Sequence, residues 1–285
     1  MPERHRYTPG VPCWVDTTQP DPMAAVAFYG DLLGWEFEDE SPPGSEGEYL
    51  VARIRGGDVA AVGSAPEAAP PVAVWNTYIC VGDADETTSK VRNGGGGVAV
   101  EPLDVTDAGR MAVVSDPEGA VFRLWQARGR KGAGIVNEHG SVNFNDLNVR
   151  DPDRARSFYG SVFGWQTLES EGDFSLWTLP GYGEFLERDT PDLREQMAKI
   201  GAPKGFEDVV ALLVPIPDDE RGIPPHWGVV FAVDDADAIA EKAIDLGGKV
   251  VVPPVDETWV RTTVIADPQG ATFRASAPKP QSGVG

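Results

Sequence analysis

The chain has 285 residues, 41% hydrophobic and 24% charged, the balance of an ordinary globular protein long enough for two domains of about 150 residues each. Asp and Glu number 45 against 24 Lys and Arg, a formal net charge of −21; this argues against nucleic acid or an anionic membrane as partner and is compatible with a cationic ligand. No apolar run approaches the ~20 residues that span a bilayer, nothing after Met1–Arg6 resembles a signal peptide, and Cys13 and Cys80 read as buried free thiols in a reducing cytoplasm.

Residues 1–9 read as a short disordered arm, followed by an extended run from Val11 to Thr17. Asp21-Pro22 opens a helix, with Asp21 as cap and Pro22 at the first helical position; Val26, Tyr29 and Leu33 give it an apolar face, and Gly34-Trp35 ends it. Tyr49–Ile54 and Val59–Val62, joined by Gly56-Gly57, predict a hairpin, and Gly63–Pro71 a connector. Val74–Val81 predicts a strand, Asp83–Arg92 a helix, and Gly94–Gly97 its stop. These glycines follow a helix and precede a strand, the wrong order for a phosphate cradle. Asp116-Pro-Glu-Gly119 is turn chemistry between two alternating runs, a hairpin ending in Arg123-Leu-Trp125.

The pattern then starts again. Phe144 and Asp146 echo Trp14 and Asp16, Asp151-Pro152 to Tyr159 echoes Asp21-Pro22 to Tyr29, and Gly164-Trp165 echoes Gly34-Trp35. His226–Val233 echoes Val74–Val81, and Asp267-Pro-Gln-Gly270, ending in Arg274, echoes the Asp116 turn. A period above 100 residues means domain duplication. The expected fold is α+β, tandem βαβββ units, two per domain, in domains 8–128 and 141–279 with a linker at 129–140. An insertion at about 181–224 contains a helix over Thr190–Gly201 and a strand over Val209–Pro215, and could wall a site or decorate the surface.

These motifs, in register over nearly the whole chain, resemble the vicinal oxygen chelate superfamily, which includes glyoxalase I, extradiol dioxygenases and bleomycin-resistance proteins. The two-domain form, with Phe-Tyr before Gly-Trp, Val136-Asn-Glu138 in the linker and Pro224-Pro-His-Trp227 in the second domain, also resembles actinobacterial two-domain proteins labelled glyoxalase-like, hydroxylase or antigen, some of them from antibiotic pathways. The resemblance implies curled mixed sheets forming half-barrels, helices outside, and a divalent metal held on the inner face. Mapped by position, its ligands fall on Trp14, Asn76 and Arg123, and on Phe144, Gly228 and Arg274. None is a His or a carboxylate, and an arginine repels a cation, so neither a metal nor another cofactor is expected.

Alternation places Trp14, Asp16, Asn76, Tyr78, Arg123 and Trp125 on the first inner face, and Phe144, Asp146, Asn148, His226, Val230 and Arg274 on the second. Trp177 and Trp259 are further candidate ligand stackers, whereas Trp35, Trp165, Trp75 and Trp227 have core parity. Asp16 and Asp146 either pair with Arg123 and Arg274 in a structural ion pair, or hold a ligand amine. Asp16, Asp146 and His226 are also the candidate catalytic groups. Arg110 and Arg261, on the strands entering the terminal hairpins, either brace them or reach a ligand oxygen. The expected function is metal-free binding of a hydrophobic, aromatic and cationic small molecule, for sequestration, self-resistance or relief of product inhibition. Alternatives are a metal-independent isomerase or hydroxylase-like enzyme, a glyoxalase-type metal lyase, and a protein-interaction module using the insertion. The expected partner is a small aromatic organic ligand, with a homodimer left open.

Overall fold

A computed structural model describes residues 4–41, 44–45, 47–65, 72–170, 174–199 and 201–279. In the first repeat, β1 (Pro12–Gln19), α1 (Pro22–Leu33), β2 (Glu36–Asp39), β3 (Tyr49–Ile54) and β4 (Gly57–Ser64) form one βαβββ unit. A second unit follows in β5 (Val74–Cys80), α2 (Ala84–Asn93), β6 (Gly97–Val105), β7 (Gly109–Ser115) and β8 (Val121–Ala127). The second repeat runs β9 (Val142–Val149), α3 (Pro152–Phe163), β10 (Gln166–Glu169), β11 (Ser175–Thr178) and β12 (Val209–Pro215). Between β11 and β12 lie the inserted helices α4 (Tyr182–Glu187) and α5 (Leu193–Lys199). The repeat ends with β13 (His226–Ala232), α6 (Ala236–Asp245), β14 (Lys249–Asp256), β15 (Val260–Ala266) and β16 (Thr272–Pro278).

Each repeat makes one open eight-stranded mixed sheet, in the orders β2-β3-β4-β1-β5-β8-β7-β6 and β10-β11-β12-β9-β13-β16-β15-β14. The two units meet at antiparallel central pairs, β1 with β5 and β9 with β13. Local chemistry sets the helices as expected: the Asp21 and Asp151 carboxylates accept from the amides of Ala24 and Arg154, both at 3.0 Å. Gly34 and Gly164 close α1 and α3 at φ 73° and 76°, where an L side chain is strained.

The helix-covered faces of the two sheets turn toward each other, α1 against α6, α2 against α3, and β5 back to back with β13. Both cores therefore mix the repeats. Tyr29, Trp35 and Trp75 pack with Phe231 and Phe273, while Phe122 packs with Tyr159, Trp165 and Trp227. The Asp116 and Asp267 carboxylates each tie their own turn through two backbone amides, Glu118 and Ala120 in one, Gln269 and Ala271 in the other. The second oxygen of each receives a tyrosine hydroxyl from the opposite repeat: Tyr159 to Asp116 at 3.2 Å, Tyr29 to Asp267 at 2.9 Å.

Three expectations change. Met1–Glu3 and Pro66–Pro71 of the arm and connector lie outside the described residues, but the arm from Arg4 onward is not disordered. Arg4 donates to the Tyr182 hydroxyl at 2.6 Å, Arg6 pairs with Asp189 at 3.0 Å, and the Tyr7 hydroxyl donates to the Ala133 carbonyl at 2.9 Å. The insertion holds two helices, since Gly181 in the left-handed region at φ 87° starts α4 without a side-chain cap. Trp177 is completely buried on the helix-covered face against Tyr159 and Trp165, so it does not face a ligand site.

Candidate functional site on the second inner face

The inner face is the side of each sheet away from the helices, and the register makes the two directly comparable. Asp16 stands beside Asn76 and Tyr78 beside Arg123; in the second repeat Asp146 stands beside Gly228 and Val230 beside Arg274. The next positions change Trp125 to Ser276 and Met111 to Thr262. At four positions the second repeat therefore carries a much smaller side chain.

The first inner face is closed. Asp16 is only 3% exposed, and both its oxygens are occupied. Arg123 Nη1 reaches Oδ1 at 2.9 Å and Oδ2 at 3.1 Å, and Asn76 Nδ2 donates to Oδ1 at 2.8 Å. The hydroxyls of Tyr78 and Tyr49 donate to Oδ2. Burial, the largest single influence, works against the Arg123 charge, but the Asp16 carboxylate together with the Tyr78 and Tyr49 hydroxyls outweighs it and holds the guanidinium protonated; burial, reinforced by Asp16, keeps Tyr78 a neutral phenol. The structural ion pair expected for Asp16 is therefore present. The linker straps across it. Arg130 stacks 5.3 Å from the Trp14 ring centre and pairs with Asp58 at 2.6 Å, while the Ala133 amide donates to the Cys13 carbonyl at 2.8 Å. Trp14 and Trp125 are buried, their indole nitrogens donating to Tyr49 Oη and the Arg130 carbonyl, both at 3.0 Å. Trp14, Asn76, Tyr78 and Trp125 thus line a filled core.

The second inner face is not closed. Asp146 is equally buried, at 5% exposure, yet its Oδ1 has no hydrogen-bond partner, the one carboxylate oxygen so placed among the described residues. Gly228 supplies no donor where Asn76 stands in the first repeat, and Asp146 leans into the space: a Cβ on Gly228 would lie 2.2 Å from Oδ1. Arg274 has turned away. Its Nε is 3.9 Å from Asp146 Oδ2, while its Nη1 pairs with Glu257 at 3.0 Å, where the Thr262 hydroxyl also donates at 2.9 Å. Two carboxylates, Asp146 and Glu257, thus share one guanidinium and leave one surplus formal negative charge.

Phe144, Asn148 and His226 complete the face, all half-buried. The Asn148 amide is turned toward the Asp146 carbonyl at 3.4 Å. His226 Nδ1 lies 2.8 Å from the Pro224 carbonyl. A carbonyl only accepts, so Nδ1 carries the hydrogen and Nε2 of the neutral ring is left as an acceptor. Trp259, 40% exposed, sits on the turn that carries Glu257. Glu257, Thr262 and Tyr49 were missed in the sequence. Alternation from Arg274 across to β15 could have found Thr262, but Glu257 lies in a turn with no periodic signal. Arg110 and Arg261 brace helix and hairpin, on Asp85 and Asp104 and on Asp237 and Asp256, away from either inner face.

The donor set does not suit a divalent ion. Among the described residues no three His, Cys, Asp or Glu side chains converge, and a guanidinium stands beside the carboxylates of each inner face, Arg123 on Asp16 and Arg274 between Glu257 and Asp146.

The family model described as Glyoxalase/Bleomycin resistance protein/Dioxygenase superfamily matches residues 14–124 and again 141–274. The chain is 40% identical over 286 residues to the protein named "Putative glyoxylase CFP32" in Mycobacterium tuberculosis, covering 99% of this chain and 100% of that one. It is 32% identical to the anthracycline biosynthesis protein DauV of a Streptomyces species, covering 94% of this chain and 93% of the other. Among solved structures, the Mn(II)-bound glyoxalase from Novosphingobium aromaticivorans superposes with a TM-score of 0.58 at 16% identity, covering 94% and 82% of the two chains. A variant of 4-hydroxymandelate synthase from Streptomyces coelicolor gives 0.59 at 13%, covering 98% and 95%. At these identities the structures share the fold alone.

Proposed function

The chain belongs to the Glyoxalase/Bleomycin resistance protein/Dioxygenase superfamily, and we propose that it binds a flat, hydrophobic small molecule carrying a protonated amine on the inner face of its second repeat. The observation that carries this reading is Asp146 Oδ1, buried without a donor while every equivalent lone pair on Asp16 is occupied. Leaving a buried charged acceptor unpaired costs on the order of 1–3 kcal/mol or more, and a ligand N–H placed where the Asn76 amide stands would recover it. The surplus negative charge of Asp146 and Glu257 over Arg274 favours an ammonium. Phe144, and Trp259 at the rim, offer aromatic surface to a ring system. The resemblance to an anthracycline biosynthesis protein supports a place in natural-product metabolism, where such a protein would sequester a product or intermediate.

The test is titration of the full chain with planar aromatic compounds, with and without a basic amine, followed by intrinsic tryptophan fluorescence and thermal shift. Amine-bearing compounds should quench and stabilise. Asp146→Asn should weaken them at least tenfold, about 1.4 kcal/mol. Equal binding by the amine-free analogues, or an Asp146→Asn protein that binds like the wild type, would defeat the reading. A metal-independent enzyme is the second reading, favoured by the tautomer that leaves His226 Nε2 as an acceptor on the same face; it requires turnover that survives a chelator and is lost in Asp146→Asn.

A further inference from the structure

A partly open cavity lies apart from Asp146. It measures about 170 Å³ and is bounded by the N-terminal arm, the start of β9 and the insertion, with Phe144 as the one residue it shares with the inner-face site. Phe185, Leu193, Met197 and Phe206 join Phe144 in its apolar wall. Four stretches converge to build it, the arm, the linker, the start of β9 and the insertion, and the insertion has no counterpart in the other repeat.

The charges in its wall are unequally matched. Asp189 is taken up by Arg6 at 3.0 Å, and Glu207 by Arg194 at 3.0 Å. Arg4 has no carboxylate partner among the described residues. Its guanidinium donates to the Tyr182 hydroxyl at 2.6 Å and lies 5.5 Å and 5.9 Å from the ring centres of Tyr7 and Tyr182. Its backbone amide is fixed on the Gly134 carbonyl at 2.8 Å. A half-buried cation held in place by aromatic faces, beside an apolar space and without a counter-ion, is built to receive an anion. Guanidinium favours planar carboxylates, which it can bind through two parallel hydrogen bonds. The volume sets the rest of the ligand, since an apolar cavity of about 150 Å³ accepts one benzene ring.

We propose that this cavity is a binding site for a small monocarboxylic acid with a single ring, its carboxylate on Arg4 and its ring against Phe144, Phe206 and Met197. The site differs from the inner face in charge preference, so the two take different molecules.

Isothermal titration of the full chain at neutral pH with benzoate, and with benzamide as its uncharged isostere, tests this. Benzoate should bind one to one and at least tenfold tighter than benzamide. Arg4→Gln should weaken benzoate at least tenfold, and Met197→Trp, which fills the space from α5 while leaving Arg4 intact, should abolish its binding. Asp146→Asn should leave benzoate affinity unchanged, which separates this site from the inner-face reading. Benzamide binding as tightly as benzoate, no heat with either compound, or unaltered benzoate binding in Met197→Trp would each overturn the proposal. The Met197→Trp outcome decides the matter even if Arg4→Gln loosens the arm.

Discussion

Where the first repeat has Asn76, the second has Gly228, and this difference separates a carboxylate with both oxygens paired from one with an oxygen left over. The Asn76 amide donates to Asp16 at 2.8 Å, whereas Asp146 Oδ1 rests over a glycine with no donor. Gly228→Asn would return the missing donor, provided the Asp146 side chain rotates off the new Cβ, and a side-chain terminus can do this cheaply. The expected result is stabilisation by about 1 kcal/mol together with loss of amine-bearing ligands, read from the denaturant midpoint and from fluorescence titration. A destabilised variant that still binds would mean Asp146 is held for another reason. Pairing of Asp16 with Arg123 was legible beforehand because two copies placed the same two residue types opposite each other. The lengthening of the second pair to 3.9 Å was not, since it depends on Glu257, from an aperiodic turn, sharing Arg274. The glycine was visible in the sequence, but its effect exists only relative to a carboxylate on the neighbouring strand.

At the level of elements, the hydroxyls of Tyr29 and Tyr159 act as couplers. Each accepts from an indole on the central strand of its own repeat, Trp75 and Trp227, both at 3.0 Å, and donates to the turn aspartate of the other. Removing either hydroxyl leaves a buried indole N–H unpaired and strips a donor from a buried carboxylate, at a cost of roughly 1–3 kcal/mol. The two variants should differ. Asp267 Oδ2 keeps Gln19 as a donor at 2.7 Å, while Asp116 Oδ2 depends on Tyr159. Tyr159→Phe is therefore expected to cost more than Tyr29→Phe, by urea denaturation; the reverse order would show that the turns are not coupled this way. The Asp-Pro-x-Gly turns, the capped helices and the core role of the paired tryptophans could all be read locally, from periodicity and turn chemistry. Their partners across the molecule could not, because no local pattern records which repeat a hydroxyl will meet. The arm misled for the same reason: Arg4, Arg6 and Tyr7 have the composition of a free tail and are ordered only by what the insertion and linker offer them.

For the whole molecule, mixed cores mean that neither sheet buries its helix-covered face without the other, so the chain should unfold as one unit. Alkaline pH offers a sharp test. Burial, the largest influence in each case, pushes the phenols of Tyr29, Tyr78 and Tyr159 well above their ordinary value, with neighbouring Asp267, Asp16 and Asp116 reinforcing it. In the unfolded chain these groups ionise near pH ~10. Above that pH the folded state retains protons that the unfolded state has released, so folding is penalised as pH rises, while below it the contribution is fully present. Tyr7 and Tyr49 are pushed up by burial in the same way, and five such groups together erode stability by about 7 kcal/mol per pH unit, against a total of roughly 5–15 kcal/mol. The protein should therefore remain native to about pH 10 and then lose far-ultraviolet dichroism in a single step within about one to two further units. Phenolate absorbance at these tyrosines should rise in that same step. Two separate transitions would mean the repeats are independent domains. Phenolate signal from several tyrosines near pH ~10 with the fold intact would mean that the core around the Trp–Tyr–Asp chains is open to hydroxide.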